Sequence, residues 1–202
     1  MNFRDLTRDD IDVRLQSVKV NKNDPSKSGV ILLLYKNARV DMNILDETVG
    51  PENWQREHYE CKGNLFCRVG IRVQAEELAK AVKENICGDG YDAIALSKSI
   101  LDAAMPSEWI WKSDCGVESN TEAQKGEASD SFKRACFNWG IGRELYTTPL
   151  IWVKAADCRI DDNGKCWDKF AVEAIRVQDK KITGLLIYNL TQKKRCFSWE
   201  IK

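Results

Sequence analysis

Between Thr121 and Trp139 the residues Ala128, Phe132, Ala135 and Trp139 recur at helical spacing, and this apolar stripe constrains the fold more than any other feature. It predicts one long helix, with Asn120 as its N-cap and Gly140 and Gly142 ending it. Most of the rest reads as strand. Ile11, Val13 and Leu15 alternate with polar residues toward Val18 and Val20, which predicts a first strand. The segment from Asn21 to Gly29 is a turn-rich loop, and Val30 to Tyr35 is a short buried strand or the start of a helix. From about Lys36 to Val49 the positions Val40, Ile44, Leu45 and Val49 predict a helix that stops at Gly50-Pro51.

Trp54 to Lys62 and Leu65 to Val73 flank Gly63-Asn64, the pattern of a hairpin with a two-residue turn. Ala75 to Met105 reads as helical, broken at Gly88-Asp89-Gly90, and Trp109 to Gly116 as a return strand. Four more strands are predicted over Leu150 to Ile160, Phe170 to Gln178, Ile182 to Leu190 and Arg195 to Ile201. The expected class is α+β: an antiparallel β-sheet and hairpin packed on a long helix, with a helical insertion over about 75–105 and a β-rich C-terminal extension. The expected division is a core over 1–149 and the extension over 150–202.

The 202 residues carry 31 Lys+Arg and 31 Asp+Glu, with 43% apolar residues, the profile of a soluble globular chain. No apolar run is long enough for a membrane span, and the charged start at Met1-Asn2-Phe3-Arg4-Asp5 lacks the form of a signal peptide, so a cytoplasmic protein is expected. Eight cysteines (61, 67, 87, 115, 136, 158, 166, 196) form no Cys-x-x-Cys pair and read as reduced, mostly buried thiols. The zero net charge hides a split, since residues 133–202 hold 14 Lys+Arg against 8 Asp+Glu. That asymmetry suits an anionic partner, or acidic and basic surfaces that dock between subunits.

Catalytic motifs are missing from the sequence. There is no phosphate-binding Gly-x-x-x-x-Gly-Lys-Ser/Thr loop and no dinucleotide fingerprint, and the single histidine, His58, sits mid-hairpin where an ordinary strand histidine is the simpler reading. No metal site or cofactor is expected. The best enzymatic alternative is a metal-dependent nuclease built on Asp114, Glu118 and Glu122 with Lys125 nearby, although Glu122 also suits a first helical turn. A second constellation is basic. Lys133 and Arg134 flank the long helix's stripe, about 100° apart. Lys125 lies two turns earlier, Arg143 follows the Gly-Ile-Gly exit, Lys112 is on the preceding strand and Arg39 is near the start of the earlier helix. Such cations on rigid elements fit phosphate contact. A solvated helix face, with Asp130 paired to Lys133 or Arg134, fits the same residues. Trp109, Trp111, Trp139, Trp152, Trp167 and Trp199 read as packing residues of a core or subunit interface, with base stacking as the alternative for one or two.

The run Gly126 to Gly140, with Ala128, Asp130, Lys133-Arg134-Ala135, Trp139 and Gly140, followed by Gly142-Arg143-Glu144-Leu145-Tyr146, resembles the helix signature of the Rad-fifty-two superfamily of single-strand DNA annealing proteins. Upstream, Ala38-Arg39-Val40 through Leu45 to Trp54 resembles that family's first core helix and its closing Gly…Trp. The likeness spans roughly residues 30–147 and is nearest to phage and prophage members. The resemblance implies an annealing core over 1–149 and a homo-oligomeric ring or helical arc. It implies that single-stranded DNA lies in a basic groove and complementary strands anneal without ATP, in recombination and repair. The groove pair then falls on Lys133 and Arg134 and the upstream contact on Arg39, with Lys112, Lys125 and Arg143 as further DNA-binding candidates. Implied partners are single-stranded DNA, the annealed duplex intermediate and a host or phage single-strand-binding protein. A mediator that loads a recombinase is the non-enzymatic alternative. The helical stretch over 75–105 and the tail after Leu150 depart from the family pattern.

Overall fold

The structure is a computed structural model that describes residues 1–73, 108–117 and 123–201. The predicted helical insertion lies outside the described residues, as do Glu118, Asn120 and Glu122. Among the described residues the fold is α+β, with nine strands in two antiparallel sheets and two α-helices. The chain divides into two compact units, Met1–Ile44 with Gly140–Lys202, and Leu45–Trp139.

The first unit is built on a six-stranded sheet. β1 (Asp12–Lys19) and β2 (Gly29–Tyr35) pair across the turn-rich loop, and β2 pairs on its other side with β6 (Ile151–Lys154). β7 (Phe170–Gln178), β8 (Lys181–Asn189) and β9 (Lys194–Glu200) follow on the far side of β1, giving the order β6-β2-β1-β7-β8-β9. β6 and β9 approach one another, so the sheet curls around a shared interior. Alternation aims Val30 with Leu32, Ile151 with Val153 and Leu185 with Ile187 inward, and a break in register opposite Arg176 and Val177 brings Ile182 to the same side, where all are buried. Strands after residue 150 therefore share one sheet with the strands before residue 36.

Two boundaries differ from the sequence reading. The strand expected over Leu150 to Ile160 stops at Lys154 and passes into a 3₁₀ turn at Ala155–Asp157. Its ladder runs out there, because Lys154 already faces Gly29, the first residue of β2. The segment from Val30, open between strand and helix, is a strand.

Charge is also buried in this unit. Lys36 and Asp41 form an ion pair with both side chains almost wholly excluded from solvent. Between them Asn37 caps α1 (Ala38–Val49), its Oδ1 accepting from the backbone N–H of Arg39 at 2.9 Å and of Val40 at 3.3 Å. Glu144 is buried as well; its Oε1 accepts from the Leu6 N–H at 2.6 Å.

The second unit holds the sheet β3 (Trp54–Cys61), β4 (Asn64–Val73) and β5 (Glu108–Cys115), with α2 (Ala123–Trp139). The β3–β4 turn sits one residue earlier than predicted, at Lys62-Gly63, and Cys61 faces Asn64. Both turn residues have positive φ (53° and 74°), the backbone that a tight hairpin's twist demands. The first residues of α2 follow close on β5: at Gly116 an added Cβ would lie 2.2 Å from the Glu127 carbonyl oxygen, so only glycine fits. By charge the two units are opposite. The first holds 20 Lys+Arg against 14 Asp+Glu, and the second 11 against 17.

Candidate nucleic-acid interface

One face of the β3–β4–β5 sheet meets α2. Alternation places Trp54, Arg56 and His58 of β3, Cys67, Val69 and Ile71 of β4, and Lys112 and Asp114 of β5 on that face. Cys67, Val69 and Ile71 are fully buried, as are Ser131, Phe132, Ala135 and Cys136 of the helix. The buried stripe is thus wider than the sequence predicted, while Ala128 and Trp139 are only half-buried. Phe132 stacks on Trp54 (centroids 6.1 Å apart) and lies under the Arg56 guanidinium at 4.7 Å. His58 Nε2 donates to the Ala128 carbonyl at 3.1 Å, which makes this histidine a tie between strand and helix. Trp139 Nε1 donates to the Val69 carbonyl at 3.0 Å and anchors the helix's other end.

On this frame Lys133 and Arg134 stand side by side, partly exposed, with 24% and 39% of their side chains in solvent. Arg134 leans toward β5, where its Nε and Nη2 both donate to Asp114 Oδ1 at 3.2 Å. Lys133 Nζ lies 3.8 Å from Asp130 Oδ1, one turn back. Of the two pairings open in the sequence, Asp130 to Lys133 is present, and Arg134 reaches across to the strand instead. Pairs this exposed are worth at most about 1 kcal/mol. They hold the cations in place without locking them, and a phosphate can take over from either carboxylate. Asp114, a metal-ligand candidate of the nuclease alternative, faces a guanidinium here; Glu118 and Glu122 lie outside the described residues. Among the described residues no cluster of three or more His, Cys, Asp or Glu could hold a metal ion.

Lys112 has a structural engagement that its sequence position does not disclose. Its Nζ donates to the Asn138 carbonyl at 3.0 Å and sits 4.5 Å from the Trp139 ring centroid. A cation on the last carbonyls of a helix favours the macrodipole there. Lys125 is exposed in the first turn of α2, about 12 Å along the axis from Lys133. Arg39 and Arg143 belong to the other unit. Arg39 is exposed on the second residue of α1, and Arg143 opens the 3₁₀ turn Arg143–Thr147.

The sequence reading missed the buried Lys36–Asp41 pair and Glu144. Lys36 falls next to a predicted helix start, where a charged residue is ordinary, so no sequence signal marks it as buried. The seven described cysteines are free thiols. Burial pushes Cys158 up to about 12, and Cys67 and Cys196 up to about 11. All three are neutral at physiological pH and poor nucleophiles.

Among the described residues no helix is long and apolar enough to cross a membrane. No curated protein and no solved structure matches the chain. Residues 4–163 do match a family pattern, that of the Rad52/22 family double-strand break repair protein. The match takes in α1, the β3–β4–β5 sheet, α2 with Lys133 and Arg134, and the Arg143 turn, and the chain belongs to the Rad52/22 family.

Proposed function

We propose that this chain binds single-stranded DNA by its phosphates and anneals complementary strands without ATP, as a homo-oligomeric ring or arc in recombination and repair. The observation that carries the proposal is the Lys133–Arg134 pair. Two adjacent cations stand on a helix fixed at both ends, partly in solvent, each held by a carboxylate that a phosphate can replace. Phosphate contacts fix a strand without reading it, so the bases stay available and pairing alone selects the partner. Lys112 and Lys125 supply further contacts on the same unit, and Arg39 and Arg143 contacts on the other. Residues 1–149 carry the annealing function, with 150–202 as an extension. Repetition around an oligomer multiplies a few contacts per copy into firm binding. A single-strand-binding protein of the host or phage delivers the strands, in the cytoplasm of a bacterium.

The test mixes two complementary labelled oligonucleotides with the pure protein, without nucleotide or metal, and follows duplex formation. Strong acceleration is expected, and Lys133→Ala/Arg134→Ala should abolish it while assembly size by light scattering stays constant. Tight binding without acceleration would point to a mediator, and Mg²⁺-dependent shortening of the strand to a nuclease.

A further inference from the structure

The unit with excess positive charge is not the one that carries Lys133 and Arg134. Within it, strand register collects unpaired cations on one surface. Lys19, Gly29 and Lys154 stand in a row across β1, β2 and β6, with Ile31 opposite Trp152 one step along and Leu33 opposite Arg14 further on. Val30, Leu32, Ile151 and Val153 point the other way into the interior, so this row lies on the outer face. Arg14, Lys19 and Lys154 are exposed, and none has a carboxylate partner among the described residues. The acidic residue of this face is Asp12, at its far end opposite Tyr35.

Gly29 leaves a gap in that row, and the Trp152 indole fills it. An added Cβ at Gly29 would strike the Val153 carbonyl oxygen and meet the ring at 2.6 Å, so only glycine fits where the indole lies between the two lysines. Lys19 and Lys154 are two strand spacings apart, about 10 Å, and Arg14 lies about 17 Å along β1 from Lys19. The Arg14 guanidinium is 5.8 Å from the Tyr35 ring. Cations interleaved with aromatic planes on a sheet are what a single strand needs, one kind for phosphates and the other for bases.

We propose that the outer face of β1, β2 and β6 is a contact surface for single-stranded DNA, in which Arg14, Lys19 and Lys154 take phosphates and Trp152 receives a base. This rests on the DNA-binding reading above and extends it to residues on the other unit. A free strand suits the face better than a folded protein does, because its three flexible cations surround a single flat ring.

The test is fluorescence anisotropy of a labelled oligo-deoxythymidylate across a salt series, on the full chain. Arg14→Gln/Lys19→Gln/Lys154→Gln removes charge but keeps the side-chain stems, so the fold should survive; far-UV circular dichroism checks it. The slope of log affinity against log salt should become shallower by about 2, since each single-strand phosphate contact adds about 0.7. Trp152→Ala should weaken binding roughly tenfold at fixed salt and leave the slope alone. An unchanged slope and affinity in both variants, with wild type binding, overturns the inference and leaves the Lys133–Arg134 reading standing. A change of assembly size with unchanged binding overturns it in favour of an interface between copies. Loss of slope here but none in Lys133→Ala/Arg134→Ala upholds this face and removes the α2 assignment. No binding by wild type overturns both.

Discussion

The two units put opposite electrostatics on a chain of zero net charge. Leu45–Trp139 is net −6, and its Lys133 and Arg134 each stand against a carboxylate; Met1–Ile44 with Gly140–Lys202 is net +6 and leaves Arg14, Lys19 and Lys154 exposed with no carboxylate partner among the described residues. Long-range attraction of a polyanion comes from summed charge, whereas a defined contact comes from a held side chain. The family helix therefore offers placement without field, and the other unit offers field. The interiors contrast as well. The three-stranded sheet and α2 bury aliphatic and aromatic groups around Phe132, while the six-stranded unit also buries Lys36, Asp41 and Glu144.

The largest test of that contrast is the buried pair. Asp41→Ala should lower unfolding free energy by about 3–5 kcal/mol, because it strands a buried ammonium. Lys36→Met/Asp41→Leu should recover most of the loss, and a denaturant series reads both. In the other unit Phe132→Ala should cost about 3–5 kcal/mol through a cavity, with no charged rescue available. Next is Lys133→Ala/Arg134→Ala, which should make the salt slope of single-strand binding shallower by about 1.4, two contacts at about 0.7 each, with thermal stability nearly unchanged.

The thiols separate the units by pH. Burial holds Cys158, Cys166 and Cys196 in the basic unit, and Cys67 in the acidic one, above the ordinary value of 9.0. A folded value above the unfolded one means the stabilisation is fully present below pH 9.0 and is lost as pH climbs toward the folded values. Unfolding free energy should therefore fall between about pH 9 and pH 12, less steeply in Cys158→Ala. Among the described cysteines, native alkylation followed by mass spectrometry should label exposed Cys61 first. The smallest effect belongs to Asp130→Asn, which removes the carboxylate beside Lys133. Single-strand binding should tighten by at most about fivefold.

Local order was legible in the sequence. Period-2 and period-3.6 patterns located β1, the hairpin β3–β4, α2 and β7 to β9 within a residue or two, since each is written by neighbours in the chain. The Rad52/22 family was legible from two short motifs in order. Pairing across distance was not. Nothing near Val30 says that its partner is Val153, because β2 with β6 is a match of two surfaces 120 residues apart. The same limit hid the ties of the candidate interface. Asp114 reads as a possible metal ligand until the fold sets it against Arg134, and Lys112 as a surface cation until it meets the Asn138 carbonyl.

The order of synthesis gives the interrupted make-up of the six-stranded unit a cost. β1 and β2 leave the ribosome one after the other and can form their hairpin, yet β6, the other neighbour of β2, follows more than a hundred residues later. At about 5–20 residues per second that interval is roughly 6 to 25 seconds. Throughout it the β2 edge that β6 will cover stays open, with Val30 and Leu32 lacking Val153 and Ile151. Nascent chains translated close together on one message would therefore be exposed to pairing with each other, and slowing translation between residues 36 and 151 should raise the fraction that aggregates.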